Sequence, residues 1–451
     1  MVNFVTAERD QMMLLPPSIR EWLPEKHLAV FVADVVDRLD LSALHQEYRG
    51  AGKQPFAPSL LVSLLFYGYA TGVFSSRRIE TATYDSVAFR YLSGDTHPDH
   101  DTIATFRRRF IEELEALFAQ IVLIAREMGF AKVGTVSIDG TKIKANASKH
   151  KAMSWEYACK LEKKLRREVA ALLRKAEQAD KQQDNEGVDI PEELRIRQTR
   201  LARIEQAKEA LKERARQRQE HARQQQEARR RKQERAQQRH ARKMARKASK
   251  AAQQPTPEPK DQHNFTDGES RIMKSHGAFE QCYNAQAAVD VGDMLIVGAT
   301  VTNNAADAGS LLPTLDAVEK TTGEKPGAVI ADAGYFSEDN MTGSEQRNID
   351  AYIATGRERH NVPLAHRLRG ESPKPKFCSP LRGIMWEKLR TEIGRELYRV
   401  RKCISEPVYG IMKNVMGFRR FMLRGTRKVR GEWFLACSAY DIRRLHALNM
   451  A

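Results

Sequence analysis

The sequence has few cysteines, and their arrangement excludes two common small-domain architectures. Five cysteines are scattered over 451 residues, an odd number without one CxxC pair. Disulfide frameworks and zinc ribbons need paired or regularly spaced cysteines, so neither is predicted. Free thiols of this kind fit a reducing cytoplasm. The five residues are Cys159, Cys282, Cys378, Cys403 and Cys437.

Long apolar runs and nucleotide-binding loops are also missing. No uninterrupted apolar stretch has membrane-spanning length, and the start MVNFVTAERDQ has no basic segment followed by an apolar one, so no membrane partner is predicted. Neither GxxxxGK[ST] nor GxGxxG occurs, which leaves no case for a nucleotide cofactor. His150, His263 and His276 lack the spacing of zinc ligands, and exposed histidines are the simpler interpretation.

Acidic residues are in deficit. The chain has 58 Asp and Glu against 75 Lys and Arg, which gives a formal net charge of +17. Such a field attracts phosphate backbones, so a polyanionic partner is predicted, with a basic tail of no specific role as the alternative. The length allows two or three domains, each with its own core.

The segment 1–130 predicts a helical domain. Within it, the run LVSLLFYGYATG is typical of a buried helix that ends at Gly72, and Ser75 and Ser76 are suited to cap the next helix. After the HPDHD turn, Asp101 or Thr102 is expected to cap a longer helix with apolar residues at helical spacing.

An arginine cluster begins that longer helix. Arg107, Arg108 and Arg109 lie in its first turns, after a shorter helix with Arg77 and Arg78. Two such helices joined by a turn could dock on DNA in helix-turn-helix fashion. An ordinary solvated face is the alternative.

The run VSIDGTKIKANASK predicts a strand with a carboxylate in its middle. Val136 and Ile138 alternate with Ser137 and Asp139, as on the two faces of a strand. A carboxylate on a core strand is costly without a compensating partner such as a cation, so Asp139 is the first functional candidate. The alternative is that Asp139 closes a turn with Gly140.

The composition changes abruptly over 153–254, which predicts an inserted antiparallel helical hairpin or coiled coil. The first helix starts at Trp155 with an apolar stripe, and Pro191 opens the second, whose seam continues to Leu211. Beyond Leu211 the helix is almost purely polar and basic. Its runs RRRKQER and RKMARKASK are suited to neutralise phosphates, although a solvated charged helix is the alternative.

From 263 onward the pattern is α/β again. FEQCYNAQAAVDVGD and MLIVGATVTN predict two adjacent strands, and AVIA predicts a strand buried on both faces that leads into Asp332. A helix is expected from Trp386, bent or interrupted near Pro407, and an amphipathic helix at the end of the chain. Further predicted elements are a helix from Ala308 to Thr321, a cap at Ser337 and a strand from Asp350 to Thr355.

Three carboxylates stand out by position: Asp139, Asp332 and Glu406. Bringing them within about 4 Å of one another would cost several kcal/mol per pair unless divalent cations removed the repulsion. Hard oxygen ligands and few nearby histidines favour Mg²⁺ or Mn²⁺ over zinc. Two such ions about 4 Å apart would suit an in-line phosphoryl displacement.

Four blocks of the chain resemble the motifs of DDE-type transposases from bacterial insertion sequences. They are VSIDGTKIKANASKHKAMSW, CYNAQAAVD, VIADAGYFSEDN and SEPVYGIMKNVMGFRRFMLRGTRKVRGEW. The segments LLPPSIREWLPEKHLAVFVADVVDRLDLSAL and GYATGVFSSRRIE resemble the N-terminal domain of the same family. Glu406 and Lys413 also keep the E-x6-K spacing of the family signature, while Tyr398 and Arg401 lie one residue farther from the glutamate.

The resemblance implies an α/β fold with an RNase H-like mixed sheet flanked by helices. It puts the first aspartate on strand one, the second after strand four and the glutamate on a helix after strand five, which assigns metal binding and catalysis to Asp139, Asp332 and Glu406. The implied cofactor is Mg²⁺, with Mn²⁺ as a substitute. The implied domains are 1–130 for DNA binding or assembly, 131–152 for the first core strand, 153–254 for the insertion and 263–451 for the remaining core.

The implied partner is double-stranded DNA, both the inverted-repeat ends and the target. A homodimer or higher assembly on DNA, associated with the bacterial nucleoid, is expected. Two other interpretations stay open: an RNase H-like nuclease without strand transfer, and a non-catalytic nucleic-acid-binding coiled-coil protein. The residues expected to contact DNA are Lys142, Lys144, Arg107, Arg108, Arg401, Lys413, Arg419, Arg420 and Arg424.

Overall fold

The computed structural model describes residues 18–48, 54–182, 190–237, 257–275, 277–356 and 379–450. The chain divides into two compact units. The core unit combines Met1–Asn146 with Met273–Ala451, and the inserted unit is Ala147–Ile272. Each is described by itself below.

The N-terminal part of the core unit is helical, as predicted. Its helix α3 is buried on nearly all sides and ends at Gly72, whose φ of 84° is a left-handed conformation that glycine adopts without strain. The helices are α1 (Leu28–Asp37), α2 (Ser42–Gln46), α3 (Pro58–Thr71), α4 (Ser76–Asp85), α5 (Val87–Ser93), α6 (His100–Arg109) and α7 (Ile111–Glu127).

The long helix predicted after the HPDHD turn is two helices, α6 and α7, which meet at Phe110. The cap of α6 is Asp99, whose side chain accepts a hydrogen bond from the backbone N–H of Thr102 at 2.7 Å. The expected caps Asp101 and Thr102 therefore lie inside the helix. Phe110 is 1 % exposed and packs in the core. The break between α6 and α7 therefore leaves the apolar residues that were predicted from helical spacing on one buried face.

A six-stranded mixed sheet forms the rest of the core unit. β1 pairs antiparallel with β5 and parallel with β7; β6 lies antiparallel to β5, and β8 lies parallel to β7. This mixed sheet, with its helices, confirms the predicted RNase H-like fold class. The core strands are β1 (Thr135–Lys144), β4 (Arg271–Ser275), β5 (Ala278–Asp290), β6 (Ile296–Thr302), β7 (Ala328–Ala331) and β8 (Asp350–Ile353).

The remaining helices of the core unit depart from expectation in three places. The single helix expected from Trp386 is two helices, because the chain leaves the helical conformation at residues 389–391. The helix through Glu406 does not end at Pro407 but continues to Gly410, where a π-helical turn, Ile411–Val415, follows. The terminal helix is buried on most sides rather than amphipathic. The helices are α10 (Leu311–Thr322), α11 (Glu338–Gln346), α12 (Pro380–Lys388), α13 (Glu392–Gly410) and α14 (Thr426–Met450).

A buried polar cluster joins the N-terminal helices to α14. The Glu432 carboxylate, fully buried, accepts hydrogen bonds from Tyr69 Oη at 2.8 Å and from the backbone N–H groups of Met422 and Leu423. Arg107 donates to Tyr69 Oη at 3.0 Å and is only 6 % exposed. The Arg107 cation offsets the charge of Glu432, and burial raises the pKa of the Glu432 carboxyl.

The inserted unit contains a helical hairpin, α8 (Trp155–Gln182) and α9 (Ile190–Gln237), and a two-stranded sheet, β2 (Ala152–Ser154) with β3 (Gln262–Asn264). Ala158, Leu165 and Ile204 form its apolar core. The ion pair of Arg166 with Glu205 and that of Lys208 with Glu162 show that the helices run antiparallel. The side chains of RRRKQER and the whole of RKMARKASK lie outside the described residues.

Within the described part of the chain, no single helix is long and apolar enough to cross a membrane. One bent pair, Pro58–Thr71 with Ser76–Asp85, passes this test jointly, by length and composition.

Candidate active site

Asp139 lies in the middle of β1, beside two further aspartates. The strand runs on through Gly140, so the alternative of a turn at this pair is wrong. Burial raises the pKa of the Asp139 carboxyl to about 6; the charges of Asp332 and Asp307 act in the same direction, and the Gly140 N–H and Arg401 oppose them. The group is therefore a half-buried acid in a locally negative environment.

Asp332 directly follows β7, the parallel neighbour of β1, as predicted. Its Oδ1 accepts the backbone N–H of Gly334 at 2.8 Å and caps a short turn, Ala333–Tyr335. In the parallel register of β1 and β7, Ile138 lies opposite Ala331, which brings the turn at Asp332 next to Asp139. Both aspartates thus occupy the elements that the motif blocks assigned to them.

Asp307 is a third carboxylate of the site, and sequence reasoning missed it. It lies in the loop after β6, where its Oδ1 accepts hydrogen bonds from Lys142 Nζ at 2.9 Å and from Asn284 Nδ2 at 2.6 Å. No sequence pattern around Asp307 indicates a functional role, because the residues that contact its side chain belong to the strands β1 and β5. The block CYNAQAAVD, which contains Asn284, is the one signal that could have indicated it.

Helix α13 borders Asp139 through residues spaced four apart. Arg401 Nη1 lies 3.8 Å from Asp139 Oδ2, Ser405 Oγ lies 2.9 Å from Ser137 Oγ, and Tyr409 donates its hydroxyl to the backbone carbonyl of Asp139. Arg401 Nε is buried without a hydrogen-bond partner among the described residues. Arg401, expected on the DNA path, therefore faces the acidic site.

Glu406 is on α13, after β8, as the resemblance implied. It follows Ser405, which packs on β1, but its own side chain is exposed. Among the described residues, no three His, Cys, Asp or Glu side chains are grouped so as to hold a metal ion. The structure thus brings Asp139 and Asp332 together and does not group Glu406 with them.

A basic groove runs beside Asp139, with a cavity volume of about 570 Å³. Four of the predicted DNA contacts line it, and Tyr409, which bonds to the Asp139 backbone, is part of the same wall. Burial lowers the pKa of Lys413, and the nearby cation Arg419 adds to this effect. The four predicted residues are Lys142, Lys144, Lys413 and Arg419.

The other predicted DNA contacts lie elsewhere. The prediction that Arg107 contacts DNA is wrong. Arg107 is buried against Tyr69 and the Phe74 carbonyl, where it offsets the charge of Glu432. Arg108 is exposed on α6, and Arg420 and Arg424 are exposed on the loop before α14.

Two tryptophans are candidates by sequence for stacking on an extruded base. Trp433 is fully buried and donates Nε1–H to the Gln286 carbonyl, so it is a core residue. Trp386 is half-buried on α12, where Arg390 lies 3.9 Å from its ring centroid.

The residues of the site fit a divalent cation. Asp139 and Asp332 offer hard oxygen atoms, and their mutual repulsion, which helps to raise the pKa of Asp139, is the kind that a bound cation removes. Arg401 at 3.8 Å is too distant for a hydrogen bond and offsets only part of this charge.

Two family models match the chain. The one described as "Transposase DDE domain" matches residues 246–442, and the one described as "Transposase domain (DUF772)" matches residues 17–109. The first match includes Asp332 and Glu406, while Asp139 precedes it. No curated protein and no solved structure matches the chain significantly.

The mixed sheet, the neighbouring aspartates and the DDE domain define the class: an enzyme of metal-dependent phosphoryl transfer on DNA. The two matches together indicate a DDE-type transposase of an insertion sequence.

Proposed function

We propose that this transposase binds the ends of its own insertion sequence, cleaves them and joins the freed 3′-hydroxyl to target DNA. Asp139, Asp332 and Glu406 are the proposed ligands of Mg²⁺ or Mn²⁺. The observation that carries the proposal is the basic groove alongside the half-buried Asp139 and Asp332, whose charges repel each other. A phosphate backbone in this groove would pass next to the carboxylates.

The chemistry that a divalent cation supplies at such carboxylates is activation of the attacking hydroxyl and stabilisation of the leaving oxygen. The chain's own side chains orient the DNA. Lys144, Lys413 and Arg419 are suited to contact phosphate oxygens in the groove, and Arg401 to balance charge next to Asp139. Glu406 is proposed as the third ligand from its position on α13.

A strand-transfer assay separates this function from that of a simple nuclease. Linear DNA carrying one element end with a free 3′-hydroxyl is incubated with the protein, a supercoiled plasmid and Mg²⁺. Joined products whose yield depends on the end sequence are expected. Cleavage of the DNA without any joined product would favour the nuclease and overturn the strand-transfer part of the proposal.

The groove is tested by removing its charges singly. Lys144→Gln and Lys413→Gln should each weaken binding of element ends and lower the slope of log affinity against log salt by roughly 0.9. Lys132→Gln, an exposed lysine outside the groove lining, is the matched control. If the slope of log affinity against log salt is the same in the wild type and all three variants, DNA does not bind in this groove.

A further inference from the structure

A set of buried amides lies beside the aspartate pair, on the strand next to Asp139. In the antiparallel register of β1 and β5, Gly140 faces Gln286, and Lys142 faces Asn284. Both Asn284 and Gln286 are fully buried. Buried amides are costly unless they are hydrogen-bonded, so their partners indicate why they are there.

The Gln286 side chain uses every polar atom it has. Its Nε2 donates to Asn284 Oδ1 at 2.9 Å and to Asp307 Oδ1 at 3.0 Å. Its Oε1 accepts the hydroxyl of Tyr335. Tyr335 ends the short turn that Asp332 caps, so Gln286 connects β5 directly to the turn of the second aspartate.

Asp307 connects the same amides to β1 and to the loop after β6. Its Oδ1 gathers hydrogen bonds from Lys142, Asn284 and Gln286, and so links β1, β5 and the loop after β6. Asp307 also lies close to Asp332. A Cβ placed on Gly334 would be 3.0 Å from Asp332 Oδ1 and 3.6 Å from Asp307 Oδ2.

We propose that Asn284, Gln286 and Asp307 form a positioning support that ties the Asp332 turn to the Asp139 strand and holds the two carboxylates at the spacing a shared divalent cation requires. The inference rests on the proposed function, because it concerns the same site. It gives the CYNAQ segment a role that its sequence alone does not reveal. The three residues act through the aspartates and are not themselves catalytic.

Such a support is needed because the two carboxylates must be held at a precise distance from each other. The Asp332 turn is short, its Ala333 and Gly334 are exposed, and Asp139 is on a different strand. A cation site loses affinity when its ligands shift by fractions of an ångström, so the turn needs a fixed point in the core. The Tyr335–Gln286 hydrogen bond is that fixed point, since both side chains are fully buried.

A double-mutant cycle tests the support without changing charge. Gln286→Met and Tyr335→Phe each remove the connecting hydrogen bond while keeping most of the side-chain volume, and the double variant removes both partners. Tyr440→Phe is the matched control, because it deletes another buried hydroxyl, which donates to the Met294 carbonyl at 3.0 Å. The measurements are Mn²⁺ affinity by calorimetry, cleavage of element ends and the melting temperature.

Each single variant should bind Mn²⁺ roughly tenfold more weakly and cleave more slowly. The double variant should bind Mn²⁺ no more than about threefold more weakly than the weaker-binding single variant, since Tyr335 acts on the site through its bond to Gln286. Tyr440→Phe should keep wild-type Mn²⁺ affinity even if it melts earlier.

If Gln286→Met and Tyr335→Phe bind Mn²⁺ as tightly as Tyr440→Phe does, the proposed positioning support is wrong. The proposed function still stands in that case if the wild type cleaves element ends. Losses that multiply in the double variant would also overturn the support. A wild type that neither binds Mn²⁺ nor cleaves element ends would overturn the proposed function, and the support with it.

Discussion

At the scale of single residues, the Asp139–Gly140 pair shows how a local pattern misleads. Asp-Gly is a strong turn signal, yet here the strand continues through both residues. Glycine is needed for another reason. The space where its Cβ would lie is taken by the amide of Gln286 and by the carboxylate of Asp307.

Gly140→Ala should therefore destabilise the protein. The new methyl group would overlap Gln286 Nε2 and lie 2.9 Å from Asp307 Oδ1, in a region with no room to relax. A loss of about 1–3 kcal/mol in the free energy of unfolding is expected, measured by chemical denaturation. Gly134→Ala is the control, because nothing lies within 4 Å of its Cβ position. Equal stability of the two variants would mean that the amides can move aside.

Asp441 provides a pH-dependent term in stability. Its Oδ1 accepts the Ile296 N–H at 2.8 Å, but Oδ2 is buried without a partner among the described residues, and burial raises its pKa well above 3.8. The folded state therefore binds the proton more tightly than the unfolded state. The resulting stability is complete below pH 3.8 and is lost as the pH rises through the folded pKa.

Asp441→Asn should remove this term. Between pH 4 and the folded pKa, the wild type should lose up to about 1.4 kcal/mol per pH unit relative to the variant. Unfolding free energies measured for both proteins at several pH values provide the difference. A difference that does not change with pH would show that the buried carboxyl titrates normally.

At the scale of elements, patterns of hydrophobicity predicted most strands and helices because those patterns report local burial. The strands β1, β5, β6, β7 and β8 and the helical hairpin were all predicted from such patterns. What failed depended on interactions between distant segments. Arg107 was expected on the surface because its hydrogen-bond partner Tyr69 belongs to α3 and the charge that it offsets, Glu432, belongs to the last helix. Asp307 has no neighbours in sequence that indicate its role.

The far end of α9 carries the basic run RRRKQER, which is predicted to neutralise DNA phosphates. Neutralising Arg229, Arg230, Arg231 and Lys232 should weaken DNA binding regardless of sequence. The salt slope should fall by roughly 0.9 for each phosphate that the helix no longer neutralises.

The same number of charges can be removed from the partner helix as a control. Lys160, Lys163, Lys164 and Arg167 lie exposed on α8. Their replacement by glutamine should change the slope less. An unchanged slope in the α9 variant would assign its basic run to a solvated surface.

At the scale of the whole molecule, the division into a core unit and an inserted unit suggests that the sheet does not need the insertion. Within the core unit, Lys144 of β1 lies opposite Cys282 of β5, and the Ala145 N–H donates to the Gln281 carbonyl at 2.8 Å, so β1 is paired along its length without the insertion. The strand that follows the insertion is β4, on the far side of β5 from β1, so a replacement linker has to cross the end of β5.

Replacing residues 147–270 with a Gly-Ser linker, which keeps all of β4, should leave a protein that unfolds cooperatively near the wild-type melting temperature. Weaker binding of DNA is expected, because much of the positive charge is removed. Circular dichroism during heating measures the transition. Loss of a cooperative transition would mean that the core depends on the inserted unit.

The central claim is that Asp139, Asp332 and Glu406 form one cation-dependent site. The most direct test measures end cleavage, in Mg²⁺ and in Mn²⁺, for Asp139→Asn, Asp332→Asn and Glu406→Gln, with end binding followed by mobility shift. Each variant should bind ends like the wild type and cleave at least about a thousandfold more slowly, equivalent to about 4 kcal/mol of transition-state stabilisation. Near wild-type cleavage by Asp139→Asn or Asp332→Asn would contradict the claim, and near wild-type cleavage by Glu406→Gln alone would move the third ligand to another carboxylate, with Glu396 and Glu392 on α13 next in line.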